Sequence, residues 1–471
     1  MDKIKDFFKF EERGTTIRAE IIAGCTTFMA MAYILVVNAG MLSSIDGVSY
    51  GAIYIATAIS AVAGTILIGL LANLPLAQAS GMGLNAFFTY TVVFGLGFTY
   101  ANALVFVLFD GVLFVVLTAT GLRKIIFEGI PDCVKKAIPV GIGLFIAFIG
   151  FQDSGLVVDN GGTLVGLQSF NLIGDASWGS IMPLCLTIIA VFIIAVLTKK
   201  NVKGAILWTM LGTTLAYYLL GFTVSGFYDG FSERFDYSFV QPFKDFGTQS
   251  IGQVFAQGFN FDSYLEKHNA AQLIVAFATT ALAFCMVDMF DTLGTLYGAC
   301  KAGGLTIVKE DGKEDIPNAN KAMISDAVAT CVGAVCGTST VTTFVESSAG
   351  VAAGGRTGFS SIITAALFFI AMFFSPLAQL IPSCAYAPAL IYVGYAMMSN
   401  VVDINWKDPV VAIPAFFAIV IMPFTYNISY GIAFGLIAYV IISICTGAFK
   451  KINISTWVIT ILFVAMLFLT H

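Results

Sequence analysis

The architecture of the chain is indicated most clearly by residues 342–355, TTFVESSAGVAAGG. This stretch is short, rich in small residues and interrupted by polar side chains, and residues 78–90, QASGMGLNAFFTY, have the same character. Paired broken segments of this kind predict a binding site at mid-membrane depth, because non-helical backbone survives there only where it lines a cavity enclosed by protein. We expect a few extended residues at about 77–81 and 341–345, each followed by a half-helix. The two extended pieces are able to pair with each other.

The composition places the rest of the chain in a bilayer. Of its 471 residues, 58% are hydrophobic and only 11% are charged, and the mean hydropathy is +0.90. Runs of roughly 20 apolar residues, the length that a spanning helix needs, recur from about residue 16 onward. An all-α polytopic membrane protein is therefore predicted. There is no basic patch with interleaved aromatics and no paired cysteine spacing, so we expect no nucleic-acid partner, no disulfide and no metal site.

Fourteen membrane spans are predicted, with a further apolar stretch at residues 453–470 left open as a fifteenth span or an interfacial helix. No small-residue cleavage site follows the first apolar run, so we expect an anchor rather than a signal peptide. The approximate bounds of the spans are 16–41, 51–72, 78–97, 101–121, 136–152, 178–198, 203–222, 270–298, 318–336, 341–354, 358–378, 385–401, 408–425 and 428–448.

The distribution of basic residues predicts a cytoplasmic N-terminus. Cytoplasmic loops collect Lys and Arg, and with the N-terminus inside, 20 of the 23 basic residues fall in the N-terminal tail and the inner loops. The exceptions are Arg234, Lys244 and Lys267. A wrong span count before any of these loops would have inverted the bias beyond it, so the agreement supports the count.

One long loop, residues 223–269, divides the spans into seven and seven. Two halves with the same odd number of spans have opposite orientations in the membrane, which is how inverted-repeat transporters are built. Residues 25–40 and 278–293 give weak direct support, because an offset of 253 aligns Asn38 with Asp291. The sequence therefore predicts a 7+7 inverted repeat with spans 3 and 10 broken.

Asp288, Asp291 and Glu346 are acidic residues inside predicted spans of the second half. A charge at the bilayer centre costs about 2.5 to 3.5 kcal/mol on insertion scales, so these carboxylates need partners or protons. Asp288, Asp291 and Thr295 follow the spacing i, i+3, i+7 and share one helix face, which must look into the protein. Asn85, in the other broken segment, both donates and accepts hydrogen bonds and is expected to join them.

A small planar heterocycle with N–H donors along its edge suits such a site. The edge would meet carboxylate and amide groups while the ring stacks on an aromatic side chain. We expect Glu346 to bind a guanine-like N1–H and exocyclic amine as a bidentate fork. The three acidic groups disfavour an anion. The aromatic residues expected nearby are Phe344, Phe87, Phe88 and Tyr33.

Structural roles and other functions compete with this interpretation. Glu346 alone could cap the half-helix, Asp288 could lock span 8 to span 1 or 3, and Asn85 could be only a polar link between helices. An anion exchanger or channel would require a basic residue at the start of a half-helix, which the sequence does not supply. An intramembrane aspartyl hydrolase using Asp288 and Asp291 is disfavoured, because such dyads normally take their acids from separate elements. We expect no catalytic residue.

The chain resembles the nucleobase-cation symporter superfamily, of the xanthine/uracil permease type. It is most similar to the azaguanine-resistance-like branch of adenine, guanine and hypoxanthine permeases. The resemblance rests on long motifs that include FEERGTTIRAEIIAGCTTFMAMAYILVVN, GMGLNAFFTY, VDMFDTLGTLYG and TTFVESSAGVAAGGRTGFSS. It implies a core domain of spans 1–4 and 8–11, residues 1–121 and 270–378, and a gate domain of spans 5–7 and 12–14, residues 122–222 and 379–471.

The resemblance also implies import of purine bases by proton symport through elevator-type alternating access. In similar proteins an acidic residue of span 8 and an acidic or amide residue of span 10 hold the base, with main-chain N–H groups beside them. After the span 10 acid this chain has Ser347, where the broader superfamily usually has Asn, so uracil or xanthine specificity is not carried over. The substrate-binding residues implied are Glu346, Asp291, Asn85, Phe344, Val345 and Thr343.

A neutral base needs a coupling ion if it is to be accumulated. One co-transported proton moves one charge, worth about 2.3 kcal/mol per 100 mV, which supports roughly 50-fold accumulation. Asp288 and Asp291 are one turn apart and are expected to carry the proton as a coupled pair. Sodium is not excluded as the coupling ion, and no other cofactor is expected. A homodimer in the plasma or inner membrane is left open.

Overall fold

The chain folds into a mostly helical membrane protein. The computed structural model describes residues 2–120, 129–229, 238–302, 304–308, 314–447, 449 and 452–469. Within these residues, nine helices are long and apolar enough to cross a membrane, and four shorter apolar helices accompany them. The predicted multi-pass membrane class is therefore confirmed.

The first half of the chain contains nine helices and three strands among its described residues. Helix α4 continues as a π-helical turn to Ala72, and α5 continues in the same way to Gly95. The elements are α1 (Asp2–Phe7), α2 (Ile17–Met31), α3 (Tyr33–Leu42), α4 (Tyr50–Leu67), β1 (Gln78–Ser80), α5 (Met82–Ala86), α6 (Tyr100–Thr120), α7 (Asp132–Asp153), β2 (Val157–Asn160), β3 (Leu164–Leu167), α8 (Trp178–Lys199) and α9 (Ala205–Gly221).

The second half begins after three short helices in the predicted outer loop. These are α10 (Gln241–Asp245), α11 (Gln253–Ala256) and α12 (Asp262–Leu265). The elements that follow are α13 (Ala270–Ala302), β4 (Ile307–Val308), β5 (Glu314–Asp315), α14 (Ala319–Cys336), β6 (Val341–Thr343), α15 (Ser347–Ala352), α16 (Gly358–Ala371), α17 (Ser375–Ala378), α18 (Ser383–Met398), α19 (Pro409–Thr425), α20 (Ile428–Cys445) and α21 (Ile454–Leu469).

Every predicted span coincides with a helix, or with a strand followed by a helix. The 14-span inverted repeat stays a prediction, because only nine helices in the described ranges have the length and composition of a span. The C-terminal stretch forms α21, whose 16 residues fall short of the roughly 20 that a span needs. The predicted domain boundary at 121 and 122 lies outside the described residues. So do seven of the basic residues on which the predicted orientation depends: Arg123, Lys124, Arg234, Lys309, Lys313, Lys450 and Lys451.

The extended pieces of the two broken spans pair as predicted. Strands β1 and β6 are antiparallel, with Gln78 opposite Thr343 and Ser80 opposite Val341. All six strand residues are buried. Since the strands are 263 positions apart in the chain, this pairing joins the two halves in the protein interior.

The all-α prediction, with strands only in the broken spans, was incomplete. Residues 157–167 form an antiparallel hairpin of β2 and β3 between α7 and α8, and β4 pairs with β5. The hairpin strands are rich in valine and leucine and are joined by Gly161, Gly162 and Thr163, and glycines of this kind are typical of a tight turn. The hairpin was overlooked because its short apolar runs were assigned to a connection between spans.

The helices pack in two groups. In one group, α4 and α6 pack against α14, and α2 and α4 pack against α16. In the other, α7 packs against α18 and α19, and α8 packs against α9 and α18. The first group consists of predicted core spans and the second of predicted gate spans, while the domain division itself stays a prediction.

Two glycines make a close backbone contact between the first and second halves. Gly358 begins α16, and a Cβ at this position would clash with the backbone carbonyl of Gly69. The N–H of Gly358 donates to Oδ1 of Asn73, 2.8 Å away, which fixes the same junction. Backbone atoms cannot swing aside as a side-chain end can, so the contact leaves no room for a larger residue.

We predict that Gly358→Ala lowers the free energy of unfolding by about 1 to 3 kcal/mol, the usual cost of overpacking. Thermal unfolding of the purified protein in detergent measures the change. The matched control is Gly212→Ala in α9, where no heavy atom lies within 4 Å of the added Cβ. An equal effect of the two substitutions would contradict the close contact.

Candidate functional site

The strand pair fixes the position of both half-helices. Its ladder is extended at both ends, because the N–H of Gly81 donates to the carbonyl of Thr340 (2.9 Å) and the N–H of Phe344 donates to that of Ala77 (3.0 Å). Helix α5 begins two positions after the last residue of the first strand, and α15 begins four positions after the last residue of the second. Backbone groups that would otherwise face an apolar interior are thereby satisfied by each other.

Glu346 lies immediately before α15, yet its side chain does not cap that helix. Its Oε1 accepts a hydrogen bond from the hydroxyl of Tyr33, 2.6 Å away, in the first half of the chain. Tyr33 is completely buried. The capping role weighed as an alternative for Glu346 is therefore not the one that its carboxylate performs in this structure.

Asp291 joins the same group from α13. Its Oδ2 accepts from the hydroxyl of Thr342 in β6 at 3.1 Å. A Cβ on Gly81, the residue after β1, would lie 3.5 Å from the same oxygen, so the carboxylate lies close to both strands of the pair. Asp291 interacts electrostatically with Glu346, and Tyr33 interacts with both acids. The two acids on which the sequence-based site depends are thus brought together, with Tyr33 beside them.

The remaining residues of the predicted helix face are placed differently. The Asp288 side chain is completely buried, and neither of its oxygens has a hydrogen-bond partner among the described residues. The hydroxyl of Thr292, one turn further on, donates instead to Asp326 at 2.7 Å. The hydroxyl of Thr295 donates to the backbone carbonyl of Asp291 (2.8 Å), as threonines in helices often do, and its place on the polar face stays a prediction.

Asn85 makes its hydrogen bonds within the protein. Its Oδ1 accepts a short hydrogen bond from the hydroxyl of Ser339, and its amide nitrogen donates to the carbonyl of Ser80 at 3.4 Å. These contacts tie α5 to the segment that leads into β6. They are the contacts of a polar link between elements, the alternative role weighed for Asn85, and its assignment to the substrate stays a prediction.

The three residues before Glu346 differ in what they can offer a ligand. The hydroxyl of Thr343 donates to Asp326 at 3.0 Å, and the N–H of Phe344 is committed to Ala77. The Phe344 side chain is nearly buried, whereas Val345 is 51% exposed. The resemblance implies that the main-chain N–H of Phe344 contacts the base. In this structure that N–H is occupied by its hydrogen bond to Ala77, which extends the strand pair.

Two of the expected aromatic surfaces belong to the core. Phe87 packs edge-on against Phe284 with ring centroids 4.8 Å apart, and Phe88 packs against Tyr100 at 5.9 Å. Both phenylalanines are completely buried. Phe344 and Tyr33 remain as the aromatic residues next to the acids.

The site predicted from the sequence omits two buried acids that contact the strand pair or the segment leading into it. Asp110 lies in the middle of α6 and Asp326 in α14, and both are fully buried. Asp326 accepts hydrogen bonds from Gln78 in β1, Thr343 in β6 and Thr292 in α13. The signal that could have found them was available, because each is an ionisable residue inside a predicted span.

A cavity of about 610 Å³ lies away from this site, between helices α2, α3, α9 and α16. Its walls are almost entirely apolar, and no acidic residue lines it. It therefore lacks the hydrogen-bonding groups that orient a polar ligand. Representative lining residues are Phe28, Leu35, Tyr54, Met210 and Leu215.

Comparison with known proteins gives one family and a set of close relatives. Residues 18–434 match the model of a xanthine/uracil-type group described as the Permease family. A putative permease of Methanocaldococcus jannaschii is 41% identical, with 98% of each chain covered. The guanine/hypoxanthine permease PbuO of Bacillus subtilis is 38% identical over 98% of this chain and 100% of its own. The adenine permease AdeQ of Escherichia coli is 36% identical over 97% and 94%.

Solved structures with the same fold are more distant in sequence. The transmembrane domain of the cyanobacterial bicarbonate transporter BicA matches with a TM-score of 0.55 at 17% identity, covering 90% of this chain and 97% of that one. The murine anion transporter Slc26a9, in an inward-facing state, matches with a TM-score of 0.60 at 11% identity, covering 92% and 69%. At these identities the likeness concerns the fold alone.

We predict that Asp326→Asn destabilises the fold. The new amide N–H would face a donor group whose hydrogen bond the Asp326 carboxylate accepts in the wild type. A buried unsatisfied donor costs about 1 to 3 kcal/mol, and thermal unfolding in detergent measures it. The control is Asp132→Asn, whose side chain is 87% exposed in an ion pair with Lys135 and whose loss should change little. Equal midpoints for the two variants would refute the structural role of Asp326.

Proposed function

The chain belongs to this xanthine/uracil-type permease family, and from that premise we propose that it imports purine nucleobases by proton symport. The substrates proposed are hypoxanthine, guanine and adenine. Relatives that cover nearly the whole chain bear the names guanine/hypoxanthine permease and adenine permease. The family and these relatives are permeases rather than enzymes.

The observation that carries the proposal is the convergence of Glu346, Asp291 and Tyr33 beside the strand pair. Two carboxylates from different helices accept hydrogen bonds, and an aromatic ring lies next to them. The N–H edge of a purine supplies the donors that such carboxylates need, and charge-assisted hydrogen bonds of this kind are the strong ones. Tyr33 supplies one donor to Glu346 in this conformation, so an arriving base would replace or share that hydroxyl.

The alternative, an anion exchanger or channel, has support from the fold but not from the site. Structures of a bicarbonate transporter and of an anion transporter share the architecture. An anion site at the start of α15 would need a cation beside it, whereas the residue at that place is Glu346. Negative charge at that place would repel an anion.

The mechanism we propose moves the site across the membrane by elevator-type alternating access. Each of the two groups of helices packs mainly within itself. The first group contains α2 to α6 and α13 to α16, and the second contains α7 to α9 and α18 to α20. Both site acids lie on the first group, so a displacement of that group would carry the base with it. The cytoplasmic N-terminus, the inner-membrane location and the homodimer stay predictions.

Uptake into vesicles tests the substrate class. The purified protein in proteoliposomes should take up labelled hypoxanthine, guanine or adenine faster with an inward proton gradient. A competition panel of purines, uracil and bicarbonate, with and without sodium, separates the substrate classes and the coupling ions. Uptake that ignores a collapsed proton gradient would remove the coupling, and competition by bicarbonate but not purines would favour the anion carrier.

Substitution of the two acids tests the site. We predict that Glu346→Gln and Asp291→Asn each weaken purine binding about 10- to 150-fold, since hydrogen bonds to charged groups contribute about 1.5 to 3 kcal/mol. Binding of labelled base to the purified protein measures the change. Glu12→Gln, in an exposed ion pair with Lys9, is the matched control. Unchanged affinity in either site variant would show that the base binds elsewhere.

A further inference from the structure

The segment that leads into and forms β6, residues 338–343, reads TSTVTT and is rich in hydroxyl side chains. Three of its hydroxyls each contact a different acid. Thr342 donates to Asp291 at 3.1 Å, Thr343 to Asp326 at 3.0 Å, and Thr340 to Asp110 at 3.4 Å. Asp291 lies on α13, Asp326 on α14 and Asp110 on α6. One short strand therefore links the base-site acid to two acids outside that site.

The buried acids differ in how many hydrogen bonds their carboxyl oxygens accept. Asp326 accepts three hydrogen bonds, one each from Gln78, Thr292 and Thr343. Asp110 has one unpartnered oxygen, and Asp288 has two. Both side chains are completely buried. An unpaired carboxylate ion in such surroundings is very costly, whereas a neutral carboxylic acid is tolerated far better.

The surroundings of Asp288 and Asp110 strengthen this contrast. The charged groups that act most strongly on Asp288 are three other acids: Asp110, Asp326 and Asp291. From the elements packed against α6, Asp110 is faced by the thiols of Cys285 and Cys331 and by the hydroxyl of Thr340 as well as by the acids. None of these groups brings a positive charge, so a proton is the counter-charge that fits.

We propose that Asp110 and Asp288 share the transported proton at a second site, separate from the Asp291 and Glu346 site for the base. The proposal rests on the proposed function and deepens it by assigning the coupling ion a place. It differs from the sequence-based expectation, in which Asp288 and Asp291 form the proton pair. Asp110 lies on α6, a helix that supplies none of the residues assigned to the base.

The geometry gives this second site a link to the first. Asp288 and Asp291 are one turn apart on α13, and Thr340 and Thr342 are two residues apart on one strand. A threonine hydroxyl donates to a carboxylate and accepts from a carboxylic acid, so it serves either protonation state. In each cycle one proton enters from the outer solution and leaves to the inner solution together with one neutral base, and only O–H bonds are made and broken.

Asp110→Asn tests the proposal, because asparagine mimics the neutral acid but carries no transferable proton. Wild-type and variant proteins are reconstituted in vesicles with labelled hypoxanthine. Two quantities are measured: exchange of labelled for unlabelled base without a gradient, and accumulation under an inside-negative potential of about 100 mV. One proton per base supports roughly 50-fold accumulation in the wild type.

We expect Asp110→Asn to exchange base within about twofold of the wild type and to lose accumulation, from roughly 50-fold to about one. Asp288→Asn should behave alike and carries the test if Asp110→Asn yields no folded protein. Asp132→Asn, an exposed acid outside the membrane core, is the control expected to accumulate normally. This combination of retained exchange and lost accumulation would support the second site.

Three results would overturn the proposal. Normal accumulation by Asp110→Asn would show that the residue holds no transported proton. Loss of both exchange and binding would assign Asp110 to the base site or to folding. Accumulation driven by sodium in place of protons would remove the proton itself. A wild type that transports no purine would refute the proposed function, which is a separate and distinguishable failure.

Discussion

The structure depends on one constraint: backbone polar groups at membrane depth must find partners inside the protein. Two spans are broken there, and each lends its extended residues to the other as strands β1 and β6. The cost of unpaired N–H and C=O groups in an apolar medium leaves little alternative. Because the strands come from opposite halves of the chain, satisfying the backbone also fixes where α5, α15 and the acid before α15 lie.

The second theme is a group of buried acids that form no ion pair among the described residues. Glu346 and Asp291 are satisfied by hydroxyl donors from Tyr33 and Thr342, and Asp326 by three donors, whereas Asp110 and Asp288 keep unpartnered oxygens. Hydroxyl groups are flexible partners, since they serve both an ion and a neutral acid. A site built in this way is suited to a neutral ligand that brings N–H donors and to a proton that comes and goes.

The comparison with solved structures separates fold from function. The architecture is shared with a bicarbonate transporter and an anion transporter at 10% to 17% identity. Function resides in the side chains that a shared fold presents. Here the position before α15 carries Glu346, and negative charge there opposes an anion and favours a hydrogen-bond donor. The same half-helix scaffold is therefore compatible with ligands of opposite character.

The sequence by itself determined the membrane class and the two broken segments, because hydropathy and small-residue content are local properties of the chain. It indicated only that the two segments are able to pair, and the structure pairs them. It also marked Asp291 and Glu346, since an acid within an apolar run stands out. Tertiary structure alone decided that Tyr33 donates to Glu346, 313 positions away, that Asn85 bonds Ser339, and that acids of α6 and α14 gather behind β6. The β2–β3 hairpin also appeared only in the structure. Hydrogen-bond partners in a buried site depend on which helix faces meet, and no local pattern of residues encodes that meeting.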